Sequence, residues 1–73
     1  MFISKLNTIR NSLTPAEVKI ANYIQNNLSQ LKTITSQELA EEIGIAQSTI
    51  IRFSKKLGYG SFRELLVDLA AQE

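Results

Sequence analysis

Three times in seventy-three residues the chain repeats one local signature, a Ser or Thr followed three positions later by Glu. It occurs at Thr14–Glu17, Thr35–Glu38 and Ser61–Glu64, and each copy opens a stretch whose apolar residues recur every three or four positions. A cap hydroxyl accepts the N–H of the third helical residue, while the glutamate bonds back to the N–H of the cap. Two of the donors that a helix start leaves open are thereby satisfied. No stretch alternates with period two, so nothing in the pattern asks for a strand. The expected fold is all-α: a small five-helix bundle with one additional short turn.

The helices follow from their apolar rhythm. Phe2, Leu6, Ile9 and Leu13 give a first helix of about two to three turns. Thr14 and Glu17 cap the second, with Pro15 in the first helical position, where its missing N–H costs nothing. Ile20, Ile24 and Leu28 are expected on its buried face, and Asn26-Asn27 weakens its end. Leu28 to Lys32 is the expected short turn. The third helix opens at Thr35, buries Leu39, Ala40 and Ile43, and ends at Gly44. The fourth runs from Gln47 to Leu57 and stops at Gly58. The last starts at Ser61 and turns Phe62, Leu65, Leu66, Leu69 and Ala70 inward.

The pair around Gly44 is the most informative. Ala40 is small where two helices cross closely, and Gly44, four residues on, takes the positive φ that redirects the chain. Ile45 plugs the corner, and Ile50 and Phe53 turn the next helix onto Leu39 and Ile43. Two helices joined by so short a glycine-containing turn form a helix-turn-helix. With Ile50, Phe53 and Leu57 inward, Gln47, Ser48, Thr49, Arg52, Lys55 and Lys56 are left on the outer face and its flanks.

Those side chains are of the types that contact DNA. Gln pairs with adenine N6 and N7, Arg with guanine O6 and N7, and Ser or Thr donates to bases or phosphates. In this docking mode residues near the amino end reach base edges, so Gln47, Ser48, Thr49 and Arg52 are the expected readers. Lys55, Lys56 and Arg63 are the expected phosphate ligands, which position a protein without specifying sequence. An eleven-residue helix is about 16 Å long, suited to a major groove about 12 Å wide. Ile51 is left to pack on the last helix or to touch a thymine methyl. Tyr59 is expected to pack over the helix end, with a phosphate as the alternative partner of its hydroxyl.

Charge supports this division. The net charge is only +1, yet from Ile45 to Arg63 the charged residues are Arg52, Lys55, Lys56 and Arg63, with no acid among them. The remainder carries four bases against seven acids. A basic stretch on an acidic body is what phosphate contact requires. With no Cys and no His, disulfides, thiol chemistry and nearly every zinc site are excluded. The carboxylates lie at helix starts or on exposed faces, leaving no catalytic constellation, so no enzyme activity, catalytic residue, metal or cofactor is expected. No apolar run approaches the roughly 18 residues of a membrane span, and the amino terminus is not a signal peptide. The expected setting is cytoplasmic, as a single domain over residues 1–73 with no membrane partner.

The residues also resemble a family. Leu13-Thr14-Pro15-Ala16-Glu17 with Ile20-Ala21-Asn22-Tyr23-Ile24 is similar to the amino-terminal domain of the RpiR (MurR/RpiR) bacterial transcription regulators. So are Ser36-Gln37-Glu38-Leu39-Ala40 and Ile43-Gly44-Ile45. The strongest stretch runs Ser48-Thr49-Ile50-Ile51-Arg52-Phe53-Ser54-Lys55-Lys56-Leu57-Gly58-Tyr59, then Gly60-Ser61-Phe62-Arg63-Glu64-Leu65. The resemblance implies a domain that binds operator DNA near genes of sugar or amino-sugar metabolism. It also implies a carboxy-terminal sugar-isomerase-like domain that binds a phosphosugar effector. That domain is absent from this sequence, so the chain is expected to be a fragment of a longer regulator. Ala46 departs from the family, whose members often carry Ser or another capping residue there, and a lost cap costs about 1 kcal/mol.

One recognition helix reads few base pairs, so a homodimer on paired half-sites is expected in the full-length protein, with Phe2, Ile3 and Val67 as candidate contacts. The competing reading is a helical protein–protein interaction module that grips an acidic partner with the same basic face. Salt separates the two, because a phosphate-driven complex weakens with a log–log slope of about −0.9 per neutralised phosphate.

Overall fold

The computed structural model describes residues 2–28, 31 and 33–71, apart from the side chains of Phe2 and Ile3. Five α-helices follow in order: α1 (Phe2–Ile9), α2 (Pro15–Asn26), α3 (Ser36–Ile43), α4 (Gln47–Lys56) and α5 (Phe62–Ala71), with no strand among the described residues. The all-α expectation holds. A 3-10 turn, Arg10–Ser12, joins α1 to the cap of α2. The expected short turn at Leu28 to Lys32 falls partly outside the described residues.

Both complete capping boxes form as the spacing requires. Glu17 N donates to Thr14 Oγ1 at 3.2 Å and Thr14 N to Glu17 Oε1 at 2.8 Å. At α3 the equivalent bonds are 3.1 Å, from Glu38 N to Thr35 Oγ1, and 2.9 Å, from Thr35 N to Glu38 Oε1. The third box is half made. Glu64 N donates to Ser61 Oγ at 3.2 Å, while the Glu64 carboxylate lies against Gly60 instead of returning to the Ser61 N–H.

The core gathers Leu6, Ile20, Ile24, Leu39, Ile50, Phe53 and Leu65, all fully buried, and α4 packs against α2, α3 and α5. Two expected core positions move, and the first is Ala70, which is exposed on α5 one turn after the exposed Val67. The second, Leu28, is 39% exposed, and Leu31 is buried in its place. The reason is register: α2 ends at Asn26, and the side chain of Asn27 folds back to donate to the Tyr23 carbonyl at 2.9 Å. Leu28 therefore leaves the helical stripe that Ile20 and Ile24 continue. No helix is long and apolar enough to cross a membrane among the described residues.

Candidate nucleic-acid interface

The turn between α3 and α4 is set by backbone chemistry. Gly44 stands at φ 82°, and the Ala40 carbonyl accepts both Gly44 N at 2.8 Å and Ile45 N at 3.0 Å. This left-handed C-cap closes α3 and throws the chain into α4 within three residues. Ala40 is buried at the crossing, and Ile45 packs against the core from the corner. Ala46 caps α4 with no side-chain bond, so the first turn of α4 is left with open donors.

The sequence of α4 divides it cleanly into two faces. Ile50, Phe53, Ser54 and Leu57 are buried, and the Ser54 hydroxyl is satisfied by donating to the Ile50 carbonyl at 3.0 Å. On the opposite face Ser48, Arg52 and Lys55 are exposed together. The helix ends at Lys56, one residue earlier than the pattern predicts, with Leu57 as C-cap and Gly58 at φ 96°. Lys55 and Lys56 occupy its last turn, where the helix dipole favours cations.

The other expected readers sit at the edges of that face. Gln47 is exposed and donates from Nε2 to Ser36 Oγ at 2.9 Å, a tie from the first residue of α4 to the first of α3. Thr49 is half-buried, and Arg52 Nη2 lies 3.5 Å from its Oγ1. That weak intrahelical contact leaves the guanidinium free to turn outward.

Lys55 and Arg63 are brought together. Both line an open groove of about 580 Å³ between α4 and α5, whose walls include Ile51, Leu66 and Val67 and whose hydroxyls include Ser36 and Ser61. Ile51 is half-buried there and faces α5, matching the packing expectation. Lys56 has a different setting from the other cations. Its Nζ donates to the Ser12 carbonyl at 2.7 Å and to Glu17 Oε1 at 3.0 Å.

Two ionisable groups near this face are displaced from their ordinary behaviour. Burial pushes the Glu17 carboxyl toward a higher pKa. The Thr14 backbone N–H and the Lys56 ammonium outweigh that and hold it below the usual carboxylate value. Burial, together with the hydrogen bond and charge of Asp68, raises the Tyr59 phenol. Tyr59 donates to Asp68, and Lys5 Nζ lies 4.1 Å from its ring centroid. Its hydroxyl is thus engaged inside the fold, and the ring is buried beside Lys5.

Sequence reasoning missed Ser36 as the partner of Gln47, and Ser12 and Glu17 as partners of Lys56. Ser36 carried a faint signal, a hydroxyl at the first position of α3 facing the turn. The Lys56 contacts span 44 and 39 residues, and no local pattern announces them. A family model described as the helix-turn-helix domain of the rpiR family matches residues 2–73. No solved structure matches the chain.

Proposed function

This chain belongs to the rpiR family of helix-turn-helix domains, and on that footing we propose that it is the sequence-specific DNA-binding domain of a bacterial transcriptional regulator. In this reading α4 lies in the major groove, with Gln47, Ser48, Thr49 and Arg52 toward base edges and Lys55 and Arg63 on phosphates. The observation that carries it is the partition of α4. One face is wholly committed to the core, and the other presents Ser48, Arg52 and Lys55 side by side, with no acid between Ile45 and Arg63.

The roles separate physically. Arg52 is in the middle of the exposed face, where a bidentate contact to guanine is worth about 1–3 kcal/mol of discrimination. Lys55 and Arg63 both line the groove beside α4, which supports a phosphate-binding role for the two. The resemblance to RpiR regulators supports the finer reading. The regulated genes belong to sugar or amino-sugar phosphate metabolism, a phosphosugar effector binds a carboxy-terminal domain beyond residue 73, and the full-length protein is a homodimer. Val67, at 63% exposure, is the most exposed large hydrophobic among the described residues and a candidate contact with a second copy.

Selection of duplexes from a random pool, followed by sequencing, tests the reading. A defined motif is expected from the unaltered chain. Arg52→Ala should relax preference at one position of that motif, and Lys55→Ala should weaken all duplexes alike. A pool that emerges unenriched would remove the DNA reading and favour a protein partner for the same basic face.

A further inference from the structure

We propose that Lys56 is a positioning residue for duplex binding, and that it fixes the carboxy end of α4 through Glu17 and Ser12 instead of gripping a phosphate. The inference rests on the DNA-binding reading above. It divides the four cations of the acid-free stretch into three that face outward and one that holds the helix in place.

The geometry points this way on three counts. The Lys56 ammonium is 3.0 Å from the Glu17 carboxylate, whose side chain is only 10% exposed, against 32% for Lys56. A lysine drawn toward a more deeply buried partner is oriented by it, and a phosphate would have to compete with both Glu17 and the Ser12 carbonyl at 2.7 Å. Glu17 is itself held rigid, because the same Oε1 accepts the Thr14 N–H at 2.8 Å as part of the α2 capping box. Lastly, Ser12 closes the 3-10 turn and Glu17 lies in the first turn of α2, so one ammonium joins α4 to the whole corner between α1 and α2. The opposite end of α4 is held by the Gln47–Ser36 bond to α3. A helix fixed at both ends presents Ser48 and Arg52 at a defined angle, and reading bases requires placement within about 0.5 Å.

The proposal makes a prediction of opposite sign to simple electrostatics. Removing an acid from a DNA-binding surface ordinarily strengthens duplex binding, since the net positive field grows. Here Glu17→Ala should weaken it, by about five- to tenfold, because the released helix end no longer aligns the readers. The measurement is duplex affinity of the 73-residue chain over a salt series, at a temperature where circular dichroism shows each variant fully helical. A duplex selected by the unaltered chain and its scrambled counterpart are compared. Lys56→Gln should give the same loss, and the double variant no more than either single one. In all of them the salt slope should stay that of the unaltered chain, and the ratio of selected to scrambled affinity should fall. Lys56→Arg, which keeps both contacts within reach, should restore the ratio. Lys55→Gln is the control, and should lose about 0.9 of a slope unit with the ratio preserved.

Tighter binding with a steeper slope for Glu17→Ala would overturn the proposal, since it would mean that the freed ammonium had found a phosphate. Loss of about one slope unit in Lys56→Gln, or unchanged affinity and ratio in both variants, would overturn it equally. If Glu17→Ala loses its helical signal, Glu17→Gln decides by the same signs. Absence of any selectable duplex for the unaltered chain is a separate result that strikes the DNA reading itself.

Discussion

The two ends of α4 are held by different kinds of interaction. At the amino end backbone dominates, with one side-chain tie, from Gln47 to Ser36. Gly44 in the left-handed region, two N–H groups on the Ala40 carbonyl and a small residue at the crossing aim the helix, while Ala46 contributes no side-chain cap. At the carboxy end side chains dominate. Lys56 bridges to Ser12 and Glu17, and Tyr59, just beyond Gly58, is buried with its hydroxyl on Asp68 and its ring beneath Lys5. The amino end is thus determined within α3 and the turn, by residues no more than 11 positions apart, and the carboxy end by residues from α1, α2 and α5, as far as 44 positions away. Aim is local, and anchorage is tertiary.

Breaking the anchorage should have the largest effect. Lys56→Met leaves the Glu17 carboxylate buried without its cation. Stability should fall by about 2 kcal/mol, below the usual range for a fully buried pair because the Lys56 side chain keeps about a third of its exposure. In a domain of this size that is a drop in Tm of roughly 8–16 °C, read by thermal unfolding. A drop of under 2 °C would show the bridge to be ornamental.

Breaking the aim should cost somewhat less. An added Cβ at Gly44 meets nothing within 4 Å, so Gly44→Ala is penalised by its positive φ alone, at about 1–2 kcal/mol. Denaturant unfolding measures it, and Gly44→Asn should recover part of the loss because Asn tolerates this conformation better.

Acid separates the ends without touching α4. The Glu17 carboxyl titrates below the ordinary carboxylate value of 4.5 in the folded chain. Its stabilising contribution is therefore complete above that value and disappears as pH falls through the lower, folded-state one. Denaturant midpoints from pH 7 down to pH 3 should decline more steeply for the unaltered chain than for Glu17→Gln. Equal declines would mean that Glu17 gains nothing from its partners on folding.

The smallest change is a gain. Ala46→Ser supplies the cap that α4 lacks, and should stabilise by about 0.5–1 kcal/mol in the same denaturant assay. No gain would mean that the turn geometry at Ala46 does not let a hydroxyl reach the open N–H groups.

The same contrast explains what could be read from sequence. Thr14, Thr35 and Gly44 act on neighbours three or four residues away, so the helix starts and the turn were legible from spacing. The inner face of α4 was legible for the same reason, and with it the exposed set Ser48, Arg52 and Lys55. Leu28 was misplaced because the Asn27 side chain ends α2 by bonding back to Tyr23, a competition that apolar periodicity does not register. The Ser61 box was half right, since Glu64 had the reach for a return bond and took another position over Gly60. Lys56 looked like its neighbour Lys55, and only the packing of α4 against α2 distinguishes them.

The central claim is that the outer face of α4 meets duplex DNA, and the salt dependence of duplex binding tests it most directly. With Arg52, Lys55 and Arg63 outward and Lys56 held by Glu17, two phosphate contacts from Lys55 and Arg63 give a log–log slope of about −1.8 per chain. A third contact from Arg52 would steepen it to about −2.7. A slope in that range, at concentrations that load both half-sites, is the predicted result. Binding indifferent to salt, or no binding to any duplex at low salt, would contradict it.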